Sequence, residues 1–362
     1  MNGNDHVNPE DLEEWSDDYS GEGLLPNASS GVSSSGAGDA TAPQVLIVEA
    51  ADSEERLDRF LSAARPGISR SQLQRWVSDG QVLVDGRVVK PSLSLRPGQV
   101  VSITPPALAP VNDWIAEPMA LDIVFEDDDV IVVNKPAGLV VHPAAGHASG
   151  TLVNGLIAHC PAITAVARCG IVHRLDRDTS GLMVAAKTVA AQLSLVNQLA
   201  ARTVSRQYLA LAWGRVADQT LDTAMGRDPR DRQRMAVLPA GKGKQAITHI
   251  EALAQGEIAG LPVTLVRCRL ETGRTHQIRV HLEHSRHPIV GDRTYNRHSP
   301  HASRLDGYQK VIFDLMKGQA LHAQRLSFLH PKTDKKSSFI SVLPDNYKKL
   351  IEITQIPADI EN

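Results

Sequence analysis

A chain of 362 residues with 42% hydrophobic and 22% charged residues has room for two globular domains and tails, and excludes collagen-like, coiled-coil and wholly disordered classes. No apolar run reaches the ~18 residues of a membrane helix, the acidic start from Met1 to Trp15 is no secretory signal, and Cys160, Cys169 and Cys268 form neither a CxxC pair nor a disulfide framework, so a soluble, cytoplasmic protein without a membrane partner is expected. Residues 1–42 hold nine acids and no Lys or Arg, which leaves 38 basic against 32 acidic residues in the remainder, a net of +6 with 26 Arg. Planar Arg forks suit bidentate contact with phosphate, so the excess points to a polyanionic partner, while 4% aromatic residues argues against a surface built on many base-stacking platforms.

In chain order, residues 1–44 are small, polar and acidic, too poor in apolar surface to offset ordering entropy, and read as a disordered tail. A compact unit is expected over 45–104. Leu57, Phe60 and Leu61 form one helical stripe. Ser69 is placed to cap a second helix with Leu73, Trp76 and Val77 inward and Gly80 past its end. Val82-Leu-Val84 and Arg87-Val-Val89 flank Asp85-Gly86 as a tight hairpin. A Pro-rich linker follows over 105–118.

The larger unit is expected over 119–345, with a C-terminal tail over 346–362. Leu121–Phe125 and Val130–Asn134 read as strands, and Thr151 as the cap of a helix with Leu152, Val153, Leu156 and Ile157 inward. Leu182–Ala186 is a strand and Val189–Ala201 a helix burying Leu193, Val196 and Leu199 or Ala200. Tyr208–Val216 and Val263–Leu270 are long strands, the second with Arg267 and Arg269 on one face. Short strands alternating with helices, hairpins included, predict an α+β domain with a mixed or antiparallel sheet.

Two polar clusters could carry chemistry. In Gly170-Ile-Val-His-Arg-Leu-Asp-Arg-Asp-Thr-Ser-Gly181, Asp176 stands between Arg174 and Arg177, whose charge favours its ionised form, as a nucleophile or base requires. From spacing alone, the commoner role of such an Asp, closing a turn or capping a helix, stands beside that reading. In Leu270-Glu-Thr-Gly-Arg-Thr-His-Gln-Ile-Arg-Val-His-Leu282, Thr275 is placed to cap a helix with Ile278 and Leu282 inward. His276 and Arg279 then share a neighbouring face that could present a base or cation to an anionic site. His276, His281, His284 and His287 invite a metal, but HExxH is absent and no third ligand stands out, so no metal is expected.

The stretch Val172-His-Arg-Leu-Asp-Arg-Asp-Thr-Ser-Gly-Leu182 resembles the signature of the RluA superfamily of RNA pseudouridine synthases. Supporting matches are Val132-Val-Asn-Lys-Pro-Ala-Gly138, Val141-His-Pro143, Arg206-Gln-Tyr208, Gly273-Arg-Thr-His-Gln-Ile-Arg279, Gly291-Asp292 and Leu321-His-Ala323. Arg56-Leu-Asp-Arg-Phe-Leu61 and Ile68-Ser-Arg-Ser-Gln-Leu73 are similar to an S4 RNA-binding domain, and the order S4 then synthase, with Arg168-Cys-Gly-Ile-Val-His173, is most similar to the D-type branch acting on large-subunit ribosomal RNA. The resemblance implies an isomerase that turns uridine into pseudouridine, and since reactant and product are isomers, no cofactor. The absence of a P-loop or GxGxxG turn agrees.

By that resemblance Asp176 is the catalytic carboxylate, Tyr208 packs against the target base with a part in removing the C5 proton, and Arg279 pairs with Asp176. Arg174 is tied to flipping the nucleotide out, Leu321 to an apolar contact beneath the base, and His173 to holding the loop. Arg59, Arg70, Arg75 and Lys90 of the S4-like unit are candidates to grip RNA phosphates, which orient more than they specify. The expected partner is structured RNA, either ribosomal RNA or a pre-ribosomal particle, bound by a monomer. Transfer RNA, and a non-catalytic ribosome-assembly factor, are the competing readings.

Overall fold

The computed structural model describes residues 44–50, 54–65, 70–104, 114–143, 149–231, 233–296 and 306–356. The expected acidic tail, the Ser69 cap and the Pro-rich stretch over 105–110 lie outside them. The chain divides into two units, with the division in sequence falling between Val111 and Asn112.

In the N-terminal unit, strand β1 (Gln44–Ile47) precedes helices α1 (Leu57–Ala64) and α2 (Arg70–Ser78), then β2 (Val82–Val84), β3 (Arg87–Val88) and β4 (Val100–Ile103). The strands form an antiparallel sheet ordered β1-β4-β2-β3. Leu57, Phe60 and Leu61 of α1 and Leu73, Trp76 and Val77 of α2 close one core with Val82, Val84 and Val101. Asp85 and Gly86 both have positive φ (51° and 74°), the backbone of the two-residue turn that suits the twist of a hairpin.

The C-terminal unit is built on one large sheet. Its strands are β5 (Ile123–Glu126), β6 (Val130–Lys135), β7 (Ser180–Ala186), β8 (Ser205–Trp213), β9 (Gln219–Arg227), β10 (Met235–Leu238), β11 (Lys244–Ile258), β12 (Leu261–Leu270), β13 (Leu321–Leu329) and β14 (Lys336–Ile340). They are ordered β10-β9-β11-β12-β8-β13-β7-β6-β5, with β14 paired to β13. Every pairing is antiparallel except β7 with β13. There Gly181 faces Ala323 so closely that an added Cβ would lie 2.3 Å from the Ala323 carbonyl oxygen, and its φ of +113° suits glycine alone. The chain is thus an α+β protein, as expected.

Five helices pack with this sheet: α3 (Leu152–His159), α4 (Val189–Ala200), α5 (Gln277–His284), α6 (Asp306–Met316) and α7 (Asp345–Ile353). Thr151 caps α3 in a capping box with Asn154, and Leu152, Val153, Leu156 and Ile157 are buried.

Four expectations are corrected. In α4, Leu193 and Ala200 are exposed and Ala191 and Leu195 are the buried row. The Thr188 side chain caps this helix and sets its phase, and apolar residues spread around the helix leave the stripe ambiguous in sequence. In α5 the cap position is His276, in the left-handed conformation (φ 57°), not Thr275. The linker ends before Trp114: that residue packs on the main core, and Asn154 Nδ2 donates to the Ile115 carbonyl at 2.7 Å. The expected tail from 346 is instead helix α7, whose Tyr347, Leu350 and Ile351 form a buried i, i+3, i+4 stripe.

Candidate active site

Asp176 lies on the loop between a short 3-10 turn (Ala167–Gly170) and β7. The loop is fixed from several sides. The Val184 N–H donates to His173 Nε2 at 3.1 Å, which is the holding role expected of His173. Thr179 N–H donates to the Asp176 carbonyl at 3.1 Å, and Gln319 Nε2 donates to Thr179 Oγ1 at 3.0 Å. Beneath it, the buried Lys135 ammonium donates to the carbonyls of Pro136 (2.9 Å), Leu139 (2.8 Å) and Arg177 (2.9 Å), so its three donors tie the 136–139 turn to the residue after Asp176.

Arg279, from the first turns of α5, reaches this carboxylate. Its Nη1 donates to Asp176 Oδ2 at 2.9 Å, while Nε and Nη2 donate to the buried Asp292 at 2.7 and 3.0 Å. Asp292 Oδ1 also accepts from the backbone N–H groups of Thr294 and Tyr295. The guanidinium lies over the Tyr295 ring, 4.9 Å from its centroid. Planar and anchored along one edge, it has a single direction left for Nη1.

His276 completes the surround, with Nε2 3.9 Å from Asp176 Oδ1 and Nδ1 2.9 Å from the Tyr295 hydroxyl. That hydroxyl accepts from Met235 N–H at 2.8 Å, and its own hydrogen is free to go to Nδ1, an arrangement that would direct an Nε2 proton toward Asp176. Burial alone pushes the Asp176 carboxyl up, but the charges of His276 and Arg279, the Arg279 hydrogen bond and the charge of Arg174 outweigh it and hold the carboxyl below the usual range. Burial pushes His276 the other way, down, so at neutral pH Arg279 is the standing positive partner.

A cavity of about 520 Å³ opens over this pair and is lined by Asp176, Tyr208, Arg279, Arg174 and Leu321. These five residues, read from sequence as one site, are therefore brought together. Tyr208 comes from β8, opposite Cys268 on one side and Ala323 on the other. It is buried, and burial pushes its phenol above the usual value, so the hydroxyl stays protonated. Leu321 opens β13 opposite Ala210 and is buried at the cavity wall, whereas Arg174 is exposed.

Asp292, Tyr295 and the fixed place of His276 were not legible as a unit. Asp292 follows α5 on a loop, and no local spacing ties it to Arg279. His281, read as one of a metal-inviting group, shares hydrogen bonds with Thr223 and Thr248, both at 2.9 Å. No group of three His, Cys, Asp or Glu positioned to hold a metal occurs among the described residues. Cys169 is buried, and burial pushes its thiol up to about 11, away from nucleophilic use.

The S4-like residues belong to the other unit. Arg59 is exposed and paired with Glu55 at 3.4 Å, and Arg70 donates to Asp58 at 2.8 Å. Arg75 and Lys90 are exposed. Asp58 is fully buried and gathers Arg56, Arg70 and Gln74. No helix among the described residues is long and apolar enough to cross a membrane.

Comparison with known proteins follows the same lines. A family model for RNA pseudouridylate synthase matches residues 129–284, and one for the S4 domain matches residues 55–101. The chain is 46% identical over 308 residues to ribosomal large subunit pseudouridine synthase D of Neisseria meningitidis, covering 85% of this chain and 80% of that protein. It is 48% identical over 303 residues to the uncharacterized RNA pseudouridine synthase YlyB of Bacillus subtilis, covering 82% and 93%. Among solved structures, human RNA pseudouridylate synthase domain containing 4 aligns with a TM-score of 0.50 at 22% identity, over 65% of this chain and 93% of that one, a likeness of fold. The sheet, the cleft and these matches converge, and the chain belongs to the RNA pseudouridine synthases, as an enzyme whose partner is RNA and whose catalytic domain follows an S4 domain.

Proposed function

We propose that this enzyme converts specific uridines of large-subunit ribosomal RNA to pseudouridine, with Asp176 as the catalytic carboxylate. The observation that carries the reading is the charge state of Asp176: a mostly buried carboxylate held ionised by an arginine that is itself fixed by a second acid. The ribosomal substrate is supported by the name of the Neisseria relative, shared by a Vibrio vulnificus protein 43% identical over 303 residues.

The reaction breaks the C1′–N1 bond, turns the uracil, and joins C1′ to C5. The C5 hydrogen leaves as a proton and N1 gains one, so nothing is oxidised or reduced. Asp176 acts at C1′, where an ionised carboxylate can bond to or stabilise the electron-poor sugar. Arg279 keeps it charged and aimed. Tyr208 and Leu321 form the apolar walls for the detached base, and Tyr208, protonated at rest, contributes to C5 proton loss through its hydroxyl. Arg174, exposed at the cavity mouth, fills the space left when the nucleotide swings out of its stack.

Arg59, Arg70, Arg75 and Lys90 hold RNA phosphates, with Arg70 pre-set by Asp58. Three free cysteines suit the cytoplasm, where ribosomal RNA is assembled. The test is a map of pseudouridine in total RNA from cells with and without the gene. Loss of sites from large-subunit ribosomal RNA is expected, and loss confined to transfer RNA overturns the substrate assignment.

A further inference from the structure

We propose that Arg206 is a phosphate-binding residue of the catalytic cavity, holding a backbone phosphate of the RNA next to the nucleotide that packs on Tyr208. The inference rests on the proposed RNA-modifying role of this cavity and adds to it a residue for the strand's backbone.

Arg206 and Tyr208 are two apart on β8 and face the same side, and both line the cavity. β8 is a central strand: Arg206 stands opposite Leu270 of β12 and Leu326 of β13. A cation in the middle of a sheet, only 7% exposed, is costly unless an acceptor meets it. Other buried cations have theirs. Arg279 has Asp176 and Asp292, Arg234 has Glu283, and Lys135 has three carbonyls. Arg206 meets no carboxylate and no hydrogen-bond acceptor among the described residues, and its Nε is buried without a partner.

Two neighbours shape the place without filling it. Gly273 packs against the guanidinium so closely that a Cβ there would lie 2.6 Å from Nη1, so the absence of a side chain at 273 is what leaves Arg206 room. His173, near enough for its titration to be affected by the Arg206 charge, accepts from Val184 N–H through Nε2, which puts its ring proton on Nδ1, a second buried donor without a partner. A neutral uracil carbonyl does not offset a lone buried charge. A phosphate does: it is anionic, it matches the planar fork of Arg, and every internal nucleotide has one on each side.

The expected signature is a residue that harms the free protein and helps the complex. In the full chain carrying Asp176→Asn to stop turnover, Arg206→Gln is expected to melt at or above the temperature of its parent, because an uncompensated buried charge is gone. It is expected to bind an in-vitro transcript of large-subunit ribosomal RNA about ten- to a hundredfold more weakly. The slope of log affinity against log salt is expected to become shallower by about 0.7–0.9, the mark of one phosphate no longer neutralised. Gly273→Ala, which keeps the charge but displaces Nη1, is expected to weaken binding in the same direction, and it decides the matter if Arg206→Gln fails to fold.

Unchanged affinity and salt slope in the folded variants overturn the assignment, as does weaker binding with an unaltered slope, which would place Arg206 on a neutral group. Binding is read without turnover, so these outcomes stand whether or not the wild-type enzyme releases tritium from C5-labelled uridine in the same transcript. That separate measurement judges the isomerase reading.

Discussion

Asp292 meets Arg279 edge to edge, Oδ2 lying 2.7 Å from Nε and Oδ1 3.0 Å from Nη2. With two of its three nitrogens committed there, the guanidinium approaches Asp176 only through Nη1. The aim of the carboxylate's partner is therefore set by an acid that lines no part of the cavity.

Asp176→Asn is expected to reduce isomerisation to background while leaving folding and RNA binding near those of the wild type. The amide keeps the shape and loses the charge that reaction at C1′ requires. Tritium release from C5-labelled uridine RNA measures it, and turnover near wild type would remove Asp176 from the chemistry.

Asp292→Asn is expected to lower stability by roughly 3 kcal/mol, the low end for breaking a buried ion pair, since Arg279 keeps Asp176. The turnover rate should fall far more than RNA affinity, because the loss is one of aim. Denaturant midpoints and single-turnover rates separate the two effects.

The pH profile has a sign that follows from the cavity. The folded-state pKa of Asp176 is held below the ordinary 3.8, so its charge, and the stability that charge contributes, are present above 3.8 and are lost only as pH falls through the lower folded value. Single-turnover rates should therefore show no acid limb from Asp176 between about pH 5 and pH 7. A limb in that window that disappears in Asp176→Asn binding controls would mean that burial, not Arg279, dominates the carboxyl.

Tyr208→Phe is expected to preserve detachment of the base better than loss of the C5 proton. The ring still forms the cavity wall, while the hydroxyl is gone. Equal, small effects on both steps would reduce Tyr208 to packing.

In the S4 unit, Arg75→Ala with Lys90→Ala is expected to leave the turnover rate unchanged and to flatten the salt dependence of RNA affinity by about 0.7–0.9 for each phosphate that these side chains neutralise. Asp58→Asn should instead destabilise this unit by about 1–2 kcal/mol, the exposed ends of Arg56 and Arg70 limiting the effect. Burial raises the Asp58 carboxyl, but bonds from Arg56, Arg70 and Gln74 bring it down to about 2, so its contribution is complete above 3.8 and lost as pH falls through about 2. Thermal melts at neutral and acid pH check the difference between the wild type and the variant.

What the sequence displayed was local. The α1 and α2 stripes, the Asp85-Gly86 turn and the Thr151 cap each depend on residues within four or five positions, and each forms as its pattern predicts. Asp176, Tyr208 and Arg279 came from motif likeness rather than spacing. The Asp292 anchor, the Tyr295 hydroxyl on His276 and the orphaned guanidinium of Arg206 arise only when loops and strands far apart in sequence are brought together. Helix α5 starts one residue later than its Thr suggests: His276 holds the cap position in the left-handed conformation, with its Nε2 3.9 Å from Asp176 Oδ1.

Helix α7 has a consequence for how the enzyme comes into being. Its Tyr347 hydroxyl donates to the carbonyl of Ala320, the residue just before Leu321 of the cavity wall, and β7 finds its parallel partner only in residues 322 and 323. On the ribosome the chain emerges from its N-terminus, so the S4 unit can fold while the cavity around Asp176 still lacks the wall that Leu321 supplies. The N-terminal unit can thus be complete before the cavity is, because the cavity wall at Leu321 and the helix that braces it come far later in the chain.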